Sequence, residues 1–145
     1  MPQLTVTMTP TDELVPYAGN AKEHPDWQVE QIAASISEFG FNDPVAVWHD
    51  AEGRPVIVEG HGRVLAAQQM GLAELPTIAL DHLTDAQRRA YVHVHNQTTL
   101  TSGFDMELLE KELASIDGYD WSDFGFDLED VLEDLPDYDP EEDQV

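Results

Sequence analysis

The chain has no cysteine among its 145 residues. Disulfides, thiolate metal sites and cysteine nucleophiles are excluded by that alone. Basic residues are scarce. Lys22, Arg54, Arg63, Arg88, Arg89 and Lys111 stand against 30 acids, for a formal net charge of -24. No basic patch exists to neutralise a phosphate backbone, so unassisted binding to duplex DNA is not expected. No apolar run approaches the length of a membrane span, and none follows Met1 as a signal would. The expectation is no membrane, with the cytoplasm as the default compartment. An acidic chain is suited to staying soluble, to binding basic partner surfaces or to mimicking nucleic acid.

What is present is enough for one folded domain. Hydrophobic residues make up 41% of the chain, and 145 residues can bury a single core. The acids are unevenly placed. Residues 1–104 hold 13 acids and 5 bases, whereas residues 105–145 hold 17 acids and 1 base. The last stretch is therefore the natural place for a surface-exposed or partner-facing extension.

Periodicity divides the chain into short elements. Leu4 to Met8 alternates as a strand, and residues 10 to 20 read as a loop. Pro25 opens a helix with Val29, Ile32, Ala33, Ile36 and Phe39 on one face, ended by Gly40. Pro44 to Trp48 and Pro55 to Val58 form a hairpin around the turn at Asp50 to Gly53. A helix then runs to about Met70 and stops at Gly71. Leu75 to Leu80 is a strand, placed at a sheet edge or starting after Pro76. Thr84 and Gln87 form a capping box for a helix that ends near Asn96. Asp105 caps another helix, with Met106, Leu109, Leu113 and Ile116 on one side. Leu128 to Leu135 reads as a short helix. Tyr119, Trp121, Phe124 and Phe126 read as a strap on the core rather than a partner-docking arm.

The residues that carry chemistry lie between the hairpin and the second helix. Val56-Ile57-Val58-Glu59-Gly60-His61-Gly62-Arg63 is a β-branched run that breaks at a Gly-x-Gly turn and enters a helix. Backbone N–H groups, the positive end of a helix dipole, one imidazole and one guanidinium converge there. That is a place to hold an anion, best of all a phosphate. Gly60 and Gly62 permit close approach of a ligand to the backbone. Arg63 can contact phosphate oxygens in pairs. Glu59 is out of place beside an anion unless it holds Mg²⁺ or orients Arg63. The alternative is an ordinary strand-to-helix turn with an exposed arginine.

The remaining candidates are weaker. The histidines include His93 and His95, two apart on one helix and so on different faces. No spacing suits zinc or iron, and no dedicated metal site is expected. Arg88 and Arg89 read as surface salt-bridge partners. Asn96 to Thr99 reads as a helix C-cap, or as a polar cluster facing the Glu59–Arg63 turn across a cleft.

The order of these parts resembles the ParB/sulfiredoxin-like domain, closest to the ParB-like domains of phages and mobile elements. The blocks that carry the likeness are Asn20 to His24, Ile32 to Pro44, Glu59 to Arg63 with Ala66-Ala67 and Gly71-Leu72, Asp81 to Tyr91, and Ser102 to Asp105 with Glu107 to Leu109. They cover about residues 4 to 117. The resemblance implies an α+β fold, a small mixed β-sheet with surrounding helices. It implies a nucleotide pocket for CTP or ATP, with Mg²⁺ as an expected companion. Carried over by position, Gly60, His61, Gly62 and Arg63 would hold phosphates, Asn96 would belong to a third box, and Lys22 would reach into the cleft. This chain departs from the pattern at His61, where the box has glutamate, and at Gly62, where it has arginine. No basic residue follows Asn96, and sulfiredoxin chemistry is excluded by the absence of cysteine.

The expected organisation is a domain over 1–117, an acidic-aromatic extension over 118–136 and a disordered acidic tail over 137–145. The leading expectation is a nucleotide-binding module in phage or plasmid DNA metabolism. It would act beside a DNA methyltransferase or another DNA-handling partner, with homodimerisation left open. Two alternatives stand beside it. One is nucleotide-dependent phosphoryl transfer, nucleotide hydrolysis or nuclease action at the same pocket, with Glu59 as the catalytic base. The other is an acidic interaction module or DNA mimic whose pocket binds nothing.

Overall fold

The computed structural model describes residues 2–17, 24–100 and 105–126. Lys22 and its neighbours, Ser102 to Phe104, the short helix expected at 128–135 and the tail at 137–145 lie outside the described residues. The chain divides into two units, 1–99 and 100–145.

The first unit is built on a four-stranded sheet. Its strands are β1 (Val6–Pro10), β2 (Val45–His49), β3 (Pro55–Glu59) and β4 (Glu74–Ala79), in the order β1-β4-β2-β3. β1 pairs antiparallel with β4, β4 parallel with β2, and β2 antiparallel with β3. This is the expected α+β architecture with a mixed sheet. The helices are α1 (Asp26–Phe39), α2 (His61–Met70) and α3 (Asp85–Leu100).

Strand alternation decides which face each side chain serves. Val45, Val47, Ile57 and Leu75 point to one face, where Val64 and Ala67 of α2 and Leu14 complete a buried cluster. Ala46 and Val58 point to the other, where they meet Leu80 and Val92 of α3. The sheet is thus covered on both faces over β2, β3 and β4, and α1 packs against α2. Ala66 and Ala67 are fully buried. Small residues there let α2 sit close to its neighbours.

Two sequence expectations need correction. β4 is not an edge strand, since it lies between β1 and β2. Its proline is accommodated because the ladder to β2 begins at Thr77, one residue after Pro76. The second correction is the length of α3, which passes Asn96 and reaches Leu100. Asn96 is therefore not a C-cap but a residue inside the helix. The loop expected over 10–20 also holds more order than its composition suggested. It contains a 3-10 turn at Thr11–Glu13, and Val15 bridges Val56 in parallel.

The local signals at the other boundaries behave as their chemistry requires. Gly40 and Gly71 end α1 and α2 with φ of 94° and 71°, a region that disfavours side chains with a Cβ. The Thr84 N–H donates to Gln87 Oε1 at 2.9 Å, and the Gln87 N–H donates to Thr84 Oγ1 at 3.1 Å. That is the reciprocal capping box.

The second unit contains α4 (Met106–Ala114) and a 3-10 turn at Trp121–Phe124. Asp105 caps α4 by accepting from the Leu108 N–H at 3.1 Å. Within this unit Trp121 stacks with Tyr119, Phe124 and Phe126, and its indole N–H donates to the Leu113 carbonyl at 3.2 Å. The aromatic residues therefore close onto the last turns of α4.

Candidate functional site

The site begins where β3 ends. The chain turns at Gly60 with φ of 111° and ψ of 21°, then enters α2 at His61. A Cβ at Gly60 would lie 2.9 Å from Arg63 Nη2 and 3.1 Å from Val45 Cγ2. Gly60 is thus required both by its dihedral angles and by its crowded neighbours. The leading N–H groups of α2, which a helix cannot satisfy internally, open at this turn.

Arg63 is held by carboxylates. Its Nη1 donates to Glu59 Oε1 at 3.1 Å and its Nη2 to Glu59 Oε2 at 2.7 Å. Nη2 also donates to the Pro44 carbonyl at 3.3 Å, and Nη1 lies 3.3 Å from Asp43 Oδ2. The Arg63 and Glu59 side chains are only 17% and 26% exposed. This two-pronged pair ties the end of β3 to the first turn of α2 and to the start of β2. Of the three roles read for Glu59, as Mg²⁺ ligand, as catalytic base and as the residue orienting Arg63, the contacts are those of the last.

His61 looks the other way. The Tyr17 backbone N–H donates to His61 Nε2 at 3.2 Å. An accepting Nε2 carries no proton, so the neutral ring holds its hydrogen on Nδ1. Burial, with a smaller contribution from His24, pushes the His61 pKa below the usual histidine value, against the opposing charge of Glu59. His24 Nδ1 lies 3.0 Å from Gln28 Oε1. Gly62 faces this pair. A Cβ there would come within 2.9 Å of Ile32 Cδ1 and 3.0 Å of His24 Nδ1.

These groups line one cleft of about 140 Å³. Glu59, Gly60, His61, Gly62 and Arg63 form one wall; His24, Gln28 and Ile32 form the second; Val92, His95 and Asn96 of α3 form the third. Six of the seven sequence-derived site residues are therefore together, and the seventh, Lys22, lies outside the described residues. The sequence marks His95 only as a poor metal-ligand candidate and His24 only as part of the polar block before α1, and it gives no signal for Gln28. His95 had a usable signal, being one turn from Val92 and adjacent to Asn96. A wider apolar groove of about 320 Å³ adjoins, lined by Leu14, Pro16, Ile57, Val64, Leu65 and Gln68, with His24 and His61 shared between the two.

The described residues do not suit a protein-held Mg²⁺. Both Glu59 oxygens already accept from Arg63, and no group of three or more metal-ligating side chains occurs among the described residues.

Arg88 is a residue that sequence reasoning misplaced. It is 9% exposed, with its guanidinium 4.5 Å from the Trp48 ring centre and 5.0 Å from that of Tyr17. It pairs with Asp85 and holds that carboxyl below its usual pKa by hydrogen bonding. The expected salt bridge forms, but the guanidinium that makes it is buried in a cation–π sandwich rather than lying at the surface. It fixes Tyr17, whose N–H in turn fixes His61.

A profile of the ParB N-terminal domain matches residues 3–97. The chain belongs to the ParB N-terminal domain family. The matched span falls inside the unit of residues 1–99 and includes the whole Glu59–Arg63 turn and Asn96. The ParB-like nuclease domain-containing protein YnaK of Escherichia coli K12 is 41% identical over 87 residues, covering 60% of this chain and 95% of that protein. Among solved structures, the C-terminally truncated chromosome-partitioning protein ParB of Caulobacter crescentus, complexed with CTP-gamma-S, superposes with a TM-score of 0.63 at 22% identity. That likeness covers 75% of this chain and 62% of the other, so this ParB-type chain spans less than two thirds of that structure. Sulfiredoxin from Arabidopsis thaliana gives a TM-score of 0.46 at 19% identity, over 52% of this chain and 83% of that one.

Proposed function

We propose that this chain is a nucleotide-binding module, for CTP or ATP, that serves phage or plasmid DNA metabolism beside a DNA-handling partner such as a methyltransferase. One observation carries the reading. The glycine turn at the head of α2 and Asn96 of α3, far apart in sequence, line the same cleft. Phosphates would meet the α2 N–H groups at Gly60 to Arg63, and the adjoining apolar groove offers surface to the nucleoside. The ParB of Caulobacter crescentus, which shares the fold, is complexed with a CTP analogue. In this reading Glu59 positions Arg63 rather than acting as a base, and no step runs through Mg²⁺.

The test is calorimetric titration of CTP, ATP, ADP and GTP, with and without Mg²⁺. The comparison variants are Asn96→Ala and Arg63→Ala. The expected result is saturable binding of at least one nucleotide. Asn96→Ala should weaken it by about tenfold, as expected for a lost polar contact to a charged ligand, with an unchanged melting temperature. No binding by any of the four overturns the reading and favours the acidic interaction module. Binding that Asn96→Ala leaves untouched places the ligand elsewhere.

A further inference from the structure

Among the described residues, β1 is bonded along one edge only. β4 lies on one side of it, and among the described residues no strand lies on the other. The opposite edge of the sheet is different. There the Val15 N–H donates to the Pro55 carbonyl at 2.9 Å and the Ile57 N–H to the Val15 carbonyl at 2.8 Å, so β3 is covered. β1 is open on its faces as well: Val6, Thr7, Met8 and Pro10 are exposed and Thr9 is half-buried. Leu4, Val6 and Met8 stand at alternate positions, 49%, 58% and 51% exposed. Val6 and Met8 lie beside Ile78 and Pro76 of β4. An apolar stripe on an open edge strand is a template for a further strand.

Charge identifies the occupant. Edge strands are ordinarily guarded by charged side chains, yet no charged residue occurs from Pro2 to Thr11 in a chain of net charge -24. A basic partner would find nothing to pair with on this edge and many acids elsewhere. A second copy would be repelled wherever acid meets acid, and this edge presents none. It is also self-complementary, because an antiparallel strand pair has a two-fold axis. We propose that two copies pair antiparallel through β1, joining their sheets about an axis at Thr7. Val6 of one copy then faces Met8 of the other, and the two Thr7 residues face each other. Asp12, the first charged residue after β1, faces Pro2 beyond the strand. This interface is independent of the nucleotide reading.

Such a dimer has an unusual salt response. Its contact is uncharged while the two bodies repel, so screening strengthens it. The experiment is sedimentation equilibrium of the full chain from about 0.05 M to about 0.5 M NaCl, over which the Debye length shortens severalfold. The expected result is a dimer whose dissociation constant falls as salt rises. Val6→Glu with Met8→Glu should raise that constant at least about tenfold, by setting like charges across the pair. Both positions are more than half exposed, so the thermal melt checks that the fold is kept. Thr7→Cys gives the chain a single thiol, and oxidation should link the two copies. A monomer at every salt up to about 0.5 mM protein, or a dimer that the double variant leaves intact, overturns the proposal. A dimer that the double variant dissolves but Thr7→Cys does not link overturns the axis at Thr7.

Discussion

His61 shows how one atom ties a titration to a backbone contact. Its Nε2 accepts from the Tyr17 N–H, and a protonated ring has no acceptor left to offer. Burial holds its pKa below the histidine value of 6.5. The sign follows from proton counting. As pH falls below the unfolded value, the unfolded chain takes up a proton before the folded one does, so stability drops; as pH rises through the same window, it returns. In His61→Gln the amide oxygen can still accept from Tyr17, but nothing titrates. On acidification from pH 7.5 to the lowered folded pKa, the wild type should therefore lose more melting temperature than His61→Gln, the difference opening on the acid side of about 6.5. Equal losses in the two proteins would show that this ring is not buried neutral. The histidines other than His24, whose charge acts on His61, are common to both and cancel in the comparison.

At the scale of elements, the informative contact is between α1 and α2 at Gly62. Inside a helix, glycine costs about 1 kcal/mol relative to alanine, so Gly62→Ala should gain on propensity alone. The new Cβ would press on Ile32 Cδ1 at 2.9 Å and on His24 Nδ1 at 3.0 Å. The isoleucine end can rotate away. The imidazole, held near Gln28, can yield only by moving the cleft wall. The two effects oppose each other in stability but not in binding. The melting temperature should change by no more than about 4 °C, equivalent to about 1 kcal/mol in a domain of this size. Nucleotide affinity should fall by about tenfold. A variant that keeps full affinity would show that His24 is not part of the binding wall.

This contact also marks what sequence could and could not deliver. The strand–turn–helix passage at Glu59 to Arg63, the stops at Gly40 and Gly71 and the box at Thr84 and Gln87 are local. Their chemistry acts within four residues, so reading along the chain found them. The α+β class and the mixed sheet came from the order of blocks. What failed depends on distance in sequence. Pro76 alone leaves open an edge strand or one that starts after the proline, because the β2 ladder, which starts at Thr77, is set by a strand about thirty residues away. The end of α3 beyond Asn96 is not legible because propensity at Gln97 to Leu100 is too weak a prior to place it. The burial of Arg88 is not legible locally because its cover, Tyr17 and Trp48, lies 40 or more residues earlier. The grouping of Asn96 with Gly60 was an expectation from resemblance, and the cleft is where the two are found together.

For the molecule as a whole, uncompensated negative charge is what packing leaves over. Arg54, Arg63, Arg88 and Lys111 each sit within ion-pair distance of a carboxylate. Those pairs offset few of the 30 acids. Salt weakens both the pairs and the repulsions, so the balance sets the sign. Exposed pairs contribute about 0–1 kcal/mol each, and the Arg63 and Arg88 pairs are shielded enough to be screened less. The repulsions among the remaining acids are many, exposed and long-ranged, which is the class that salt screens best. The melting temperature should therefore rise from about 20 mM to about 500 mM NaCl. Two other causes could mimic that rise, and each has its control. Dimerisation would make it depend on protein concentration, so the melt belongs in Val6→Glu with Met8→Glu. Anion binding at the α2 turn would saturate and would be lost in Arg63→Ala. A rise that survives both is self-repulsion relieved. A fall would mean that the few ion pairs, Arg63 with Glu59 foremost, outweigh the whole surplus of acid in holding the fold.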